Sequence, residues 1–232
     1  MPLGAMVNSG ALAIGGLAGA IIQNKLSEET KKLLTNLMGL CAIVIAIINI
    51  VKLHNLSTVI LSLILGVLVG EAIKLDNRIQ AIVNKIIKQD KTDVIYNNSD
   101  WMIKFCAIIT LFVASGTGTF GILKEGFEGD SSILIAKAIL DFFTACIFAS
   151  SLGKAVAFIS IPQFCIYLIL FYFARLIFPI INEHQIMNFN AIGGLIDLAI
   201  GLTILNIKKF KTINFLPAFI IVFPVTLFFE YL

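Results

Sequence analysis

The sequence predicts an all-α protein: a polytopic transmembrane helical bundle of about eight spans, with seven possible. Three observations predict it. Hydrophobic residues make up 59% of the chain and charged residues only 13%, with a mean hydropathy of +0.98; a soluble domain carries about 25% charged residues. The apolar residues gather into stretches near the roughly twenty residues that cross a 30 Å hydrocarbon slab. The lysines and arginines collect in alternate loops, the pattern that orients membrane bundles. The whole of residues 1–232 reads as a single transmembrane domain.

The same composition excludes other classes. A net charge of +3 is too small to imply a nucleic-acid partner. Cys41, Cys106, Cys146 and Cys165 lie in apolar runs without CxxC spacing, as small buried hydrophobes do. The two histidines, His54 and His184, are expected in loops, which leaves no metal site to expect. No GxSxG, HExxH or Walker sequence is present, so neither enzymatic activity nor a cofactor is expected.

The first apolar segment, 3–22, lacks the charged leader of a signal peptide and is read as a retained span. It carries Asn8 and a GxxxG pair, Gly15 and Gly19, which lets two helix backbones approach. Spans 33–51 and 56–73 follow, separated by Lys52-Leu53-His54-Asn55; the third holds a second GxxxG pair, Gly66 and Gly70. These glycine faces also offer a surface for a homo-oligomer. Residues 75–89 place Leu75, Ile79, Ile82, Val83, Ile86 and Ile87 on one face with Arg78, Lys85 and Lys88 elsewhere, a basic amphipathic helix for the membrane surface. Residues 90–100 form a polar linker, and Trp101 suits an interfacial anchor.

The fourth span has only ten clean apolar residues, 105–114, before Ser115-Gly116-Thr117-Gly118-Thr119. Ten cannot cross, so the span must continue to about residue 123. Gly116, Gly118 and Gly121 each cost about 1 kcal/mol against alanine in a helix. Loosened backbone at membrane depth needs protein or a water-filled cavity beside it. A discontinuous helix near residues 115–121 is therefore expected. The fifth span runs from 132 to about 159, with Lys137, Asp141, Thr144, Phe148 and Ser151 on one face. The sixth, 164–181, follows Pro162 and carries Tyr167 and Arg175, with Gln163 at its threshold; the seventh, 189–207, holds Asp197; the eighth, 213–232, holds Pro217 and Pro224.

With the N-terminus outside and eight spans alternating, twelve lysines and arginines fall inside (residues 25, 31, 32, 74, 78, 85, 88, 91, 154, 208, 209 and 211). Only Lys52, Lys124 and Arg175 fall outside, which gives a multi-pass protein of a bacterial inner membrane with both termini outside. A weak internal repeat is also visible: Gly39-Leu40 through Asn49-Ile50 echoes Gly194-Leu195 through Asn206-Ile207, each followed by an Asn-apolar pair and a further span. An offset of five spans inverts the orientation. Inverted repeats beside a discontinuous helix point to a transporter's site.

The charges narrow the site. Asp141 and Asp197 each lie deep in a span, where a carboxylate costs about 2.5–3.5 kcal/mol at the bilayer centre on insertion scales. Lys137 can partner Asp141 at i, i+4. The candidate substrate- or ion-binding residues are Asn8, Gly116, Thr117, Gly118, Thr119, Glu125, Lys137, Asp141 and Thr144. Lys124 and Glu125, at the tip of the hairpin, are expected to be solvated.

Several of these residues carry a family resemblance. Val7-Asn8 with Gly15-Gly16-Leu17, then Leu68-Val69-Gly70-Glu71, then Gly121-x-x-x-Glu125-Gly126-Phe127-x-Gly129-Asp130 with Lys137-x-x-x-Asp141 resemble the bacterial integral-membrane family known as domain-of-unknown-function family 554. The resemblance covers nearly the whole chain. Here Glu125 stands where the family usually has aspartate, and Phe142 where it usually has glycine. Asp197 occupies a position expected to be aliphatic, which argues against a family-wide role for it. The resemblance implies a polytopic bacterial membrane protein with a transporter's character. The functional expectation is therefore a transporter or channel for a small solute or ion, with the lipid bilayer as its surroundings. The alternative is a non-transporting membrane protein that binds a partner or senses a ligand.

Overall fold

The computed structural model describes residues 1–87 and 99–231. The end of the expected surface helix at 88–89, most of the linker (90–98), Lys88 and Lys91 of the topology count, and Leu232 lie outside the described residues. Eleven α-helices are present among those described, and no strand: α1 (Leu3–Ile22), α2 (Glu28–Ile50), α3 (Leu56–Ala72), α4 (Leu75–Ile87), α5 (Ser99–Val113), α6 (Gly116–Glu128), α7 (Ser132–Leu152), α8 (Ala155–Phe158), α9 (Ser160–Ile177), α10 (Glu183–Ile204) and α11 (Ala218–Glu230). Seven segments are long and apolar enough to cross a membrane, α5 and α6 counting together as Asp100–Glu128. The bent pair α3–α4, turned by 54°, brings the number to eight.

The boundaries depart from expectation where backbone chemistry intervenes. The fifth span stops at Leu152 rather than near 159, because Gly153 takes φ +80°, a region that costs a side-chain-bearing residue but not glycine. A turn and the short α8 follow. Pro162 then sits in the first turn of α9, where its missing N–H leaves no intrahelical bond unmade. The seventh span begins at Glu183, six residues earlier than expected, which puts His184 in a helical turn rather than a loop. There it stacks on His54, ring centroids 3.7 Å apart, and bonds Glu230 at 2.8 Å.

The glycine-rich stretch corrects a sharper expectation. The helix is broken, but at Ala114–Ser115; residues 116–121 are themselves helical. Ser115 ends the irregularity by accepting the Gly118 N–H on its side chain at 3.2 Å, an N-cap that satisfies one of the first-turn donors. The glycines cost propensity, yet each lies against protein. A Cβ on Gly121 would press on Ile133 and Leu134, and one on Gly126 would meet the Phe171 carbonyl and Ala174 of α9.

The chain folds as two compact units. The first comprises Met1–Met38 and Phe112–Asn182, the second the described residues of Gly39–Leu111 and Glu183–Leu232. In the first unit α1 lies on α7, Gly15 against the Phe142 carbonyl and Gly19 against the Cys146 carbonyl, while Gly16 meets the Ala157 backbone of α8. Ala5, Ile122, Leu134 and Tyr167 form its buried centre. In the second unit α3 lies on α11 with Gly66 against Ala218, and Gly70 against the Asn214 backbone just before α11. There α2 and α10 cross through Gly39 on Ile204 and Leu205, Gly194 on Ala46, Asn49 and Ile50, and Gly201 on Ile43. Both GxxxG pairs thus serve packing inside the chain.

The contacts of α1 make a direct test. Gly19→Leu forces a side chain into the Cys146 carbonyl and is expected to destabilise the protein by about 1–3 kcal/mol or more. Gly10 has open space around it, so Gly10→Ala is expected to be neutral or stabilising by up to about 1 kcal/mol. Thermal unfolding in detergent measures both, and equal losses for the two variants would contradict the packing.

Candidate functional site

The site lies within the first unit and is built from α1, α6, α7 and α9. A separation of four residues puts Lys137 and Asp141 on the same face of α7. The Lys137 Nζ donates to Asp141 Oδ2 at 2.5 Å, and Asn8 Nδ2 of α1 donates to the same oxygen at 2.9 Å. All three side chains are withdrawn from the surface, at 9% exposure for Lys137, 7% for Asp141 and none for Asn8. At this depth the two charges help to solvate one another.

α6 reaches this pair because residue 118 has no side chain. A Cβ there would collide with the Tyr167 hydroxyl and press on Ser115 Oγ and the Lys137 stem. Tyr167 is completely buried, and its hydroxyl faces Gln163 and Ser115. Gln163 Nε2 donates to the Phe112 carbonyl at 3.0 Å. Around these bonds the unit holds five buried polar atoms without a partner at hydrogen-bonding distance: Asn8 Oδ1, Ser9 Oγ, Glu125 Oε2, Gln163 Oε1 and the Tyr167 hydroxyl. Buried polar atoms in folded proteins are usually bonded.

Glu125 corrects an expectation. It is 3% exposed, not solvated, and its Oε1 accepts the Gly4 N–H at 2.7 Å. Gly4 lies in the first turn of α1, whose N–H groups have no intrahelical acceptor, and a carboxylate also suits the positive end of that helix. Lys124 does stay near the surface, where its Nζ meets Asp130 at 2.8 Å. The lysine, with the Ser132 amide, holds the Asp130 carboxyl below the usual carboxylate range.

Of the residues expected at the site, the fold gathers Asn8, Gly118, Lys137 and Asp141. Gly116 is buried at the start of α6, and Glu125 lies on the same helix, two turns beyond Gly118. Thr117 is exposed and points away; Thr119 and Thr144 are half-buried and outside these bonds. Three participants were not singled out from sequence: Ser115, Gln163 and Tyr167. The last two are four residues apart, and so share one face of the mostly apolar α9. Asp197 is buried in the second unit. Two open grooves flank α1. One of about 350 Å³ is lined by Ser9, Gly10, Ser160 and Phe164, the other, of about 530 Å³, by apolar side chains of α1 and α7. Neither is lined by Asp141.

An apolar helical bundle with a charged cluster enclosed in it is a polytopic α-helical membrane protein. The model of the family described as "Protein of unknown function (DUF554)" matches residues 3–227, and the chain belongs to that family. It is 41% identical over 229 residues to "Uncharacterized protein YqgA" of Escherichia coli (strain K12), covering 97% of both chains. It is 28% identical over 230 residues to "Uncharacterized membrane protein YdfK" of Bacillus subtilis (strain 168), covering 97% of this chain and 95% of that one. No solved structure matches it.

Removing one charge of the pair should cost more than removing both. Asp141→Ala leaves Lys137 without its carboxylate in an apolar setting and is expected to destabilise the protein by about 3–5 kcal/mol. The double variant Lys137→Met, Asp141→Leu should recover most of that loss. Unfolding midpoints in detergent compare the two, and a double variant no better than the single would show the pair is not acting as a unit.

Proposed function

We propose that the chain is a transporter or channel for a small solute or ion, acting without catalysis or a cofactor. Its site consists of Asp141, Lys137 and Asn8, beside the Gly116–Gly118 turn of α6. The observation that carries this reading is the buried Asp141–Lys137–Asn8 cluster, surrounded by polar oxygens that no neighbour satisfies. Intramembrane charges are expensive and usually mark a path for ions or substrates. The broken helix ending at the cluster adds to this, since irregular backbone at membrane depth accompanies protein-lined or water-lined cavities.

A second observation supports the reading. Gly39 and Gly194 are counterparts in the internal repeat, and so are Asn49 and Asn206. Gly39 rests on residues 204 and 205, while Gly194 rests on residues 46, 49 and 50. Such reciprocity is what a two-fold relation between the repeats produces, and inverted repeats are a common transporter plan. The proposed setting is a bacterial inner membrane with the N-terminus outside, from the positive-inside asymmetry.

Uptake into proteoliposomes driven by a solute or ion gradient tests the function. Asp141→Asn keeps shape and hydrogen-bonding capacity but removes the charge, so the protein should fold while transport falls at least tenfold, about 1.4 kcal/mol. Full activity in this variant would make the pair scaffolding and move the site elsewhere. Orientation has its own assay: in intact cells an impermeant thiol reagent should label a cysteine at position 55 and miss one at position 209.

A further inference from the structure

Three of the five unmet oxygens of the first unit are carbonyl or carboxylate oxygens that can only accept. Asn8 Nδ2 and Lys137 Nζ both end on Asp141 Oδ2, and Asp141 Oδ1 takes part in neither bond. The amide must turn its nitrogen to the carboxylate, because only a donor fits there. Asn8 Oδ1 is thereby left as an acceptor, buried and unpartnered. Glu125 repeats the arrangement: Oε1 receives the Gly4 N–H, and Oε2 receives nothing. The hydroxyl of Tyr167 can turn its hydrogen toward Gln163, the side chain it faces. Asn8 Oδ1, Glu125 Oε2 and the free Asp141 Oδ1 can only accept, while Ser9 Oγ can accept or donate.

The formal charge agrees. The buried charged side chains of this unit are Glu125, Lys137 and Asp141, which sum to −1 when all are ionised. The cationic donor that an anion would need is already engaged. The Lys137 ammonium lies on Asp141. A carboxylate oxygen beside an amide carbonyl oxygen is, in contrast, a ligand pair for hard cations and an acceptor pair for an ammonium group.

We infer that the occupant of this site is a small monovalent cation, a metal ion or an ammonium group, held by Asp141 Oδ1 and Asn8 Oδ1. Lys137 is then the internal counter-ion that neutralises Asp141 when the cation is absent. This assignment rests on the site proposed above and names the class of ligand it takes.

The test uses the full chain purified in detergent, at constant ionic strength balanced with N-methylglucamine chloride. Sodium, potassium, ammonium and methylammonium chlorides are the cation probes; N-methylglucamine acetate and phosphate are the anion probes. At least one cation should raise the unfolding midpoint saturably, and the anions should not. The sodium and potassium arms against the ammonium arms tell a metal ion from an ammonium group. Asn8→Ala leaves the Lys137–Asp141 pair intact and should raise the half-saturating concentration at least tenfold; Asp141→Asn should abolish the shift. Should Asp141→Asn fail to fold, Asn8→Ala alone decides. A cation shift that Asn8→Ala leaves unchanged overturns the inference, as does the absence of any cation shift. A saturable anion shift that Lys137→Gln removes overturns it too, while leaving the site and the transport reading standing. A cation shift that depends on Asn8, without tracer uptake into proteoliposomes, upholds the inference and removes the transport reading instead.

Discussion

One carboxylate oxygen anchors the first unit. Asp141 Oδ2 receives an ammonium from its own helix and an amide from α1, and this junction decides how closely the surrounding helices must approach. Lipid chains are as apolar as leucine, so helices in a bilayer gain little from hiding apolar surface on one another. Close packing and polar bonds must do that work. The small residues of α1 answer the requirement. With Gly15 and Gly19 on the carbonyls of Phe142 and Cys146, α1 comes near enough for the short Asn8 side chain to reach across. On α6, Gly118 performs the same service for the Lys137 stem.

The second unit reaches similar closeness by a different balance. Its glycines, at 39, 66, 70, 194 and 201, likewise lie close against neighbouring helices, on backbone, alanine or branched aliphatic side chains. Some of its polar bonds tie the ends of helices: Asn188 Oδ1 accepts from His54 and Asn55, and Asn214 joins Asp76 and Glu71. Each asparagine uses its side chain to finish the end of a neighbouring helix, where backbone groups would otherwise lack partners.

Much of this was legible in the sequence because a bilayer imposes long, simple patterns. Apolar length gave the spans, and i, i+4 spacing gave the Lys137–Asp141 face. The misses have physical causes. The stop at Leu152 depends on one positive φ at Gly153, which apolar content does not register. The helicity of residues 116–121 depends on Ser115 as a cap and on neighbours distant in sequence. Glu125 looked like a hairpin-tip residue until α1 brought the Gly4 amide to it across 121 residues of chain. Tyr167 and Gln163 sit in a span so apolar that two polar side chains read as tolerated rather than as participants.

The bond between Asn8 and Asp141 closes over 133 residues of sequence, and this separation has a meaning for biogenesis. α1 enters the membrane first, while α7 has yet to be synthesised. At 5–20 residues per second, roughly 7 to 27 seconds pass before the carboxylate that Asn8 requires leaves the ribosome. Through that interval the asparagine is a lone amide in an apolar helix, dependent on lipid headgroups, water or the insertion machinery for its hydrogen bonds. Completion of the first unit is therefore a late event in the life of the nascent chain, and α1 must be held in the bilayer as an unfinished helix until its partner arrives.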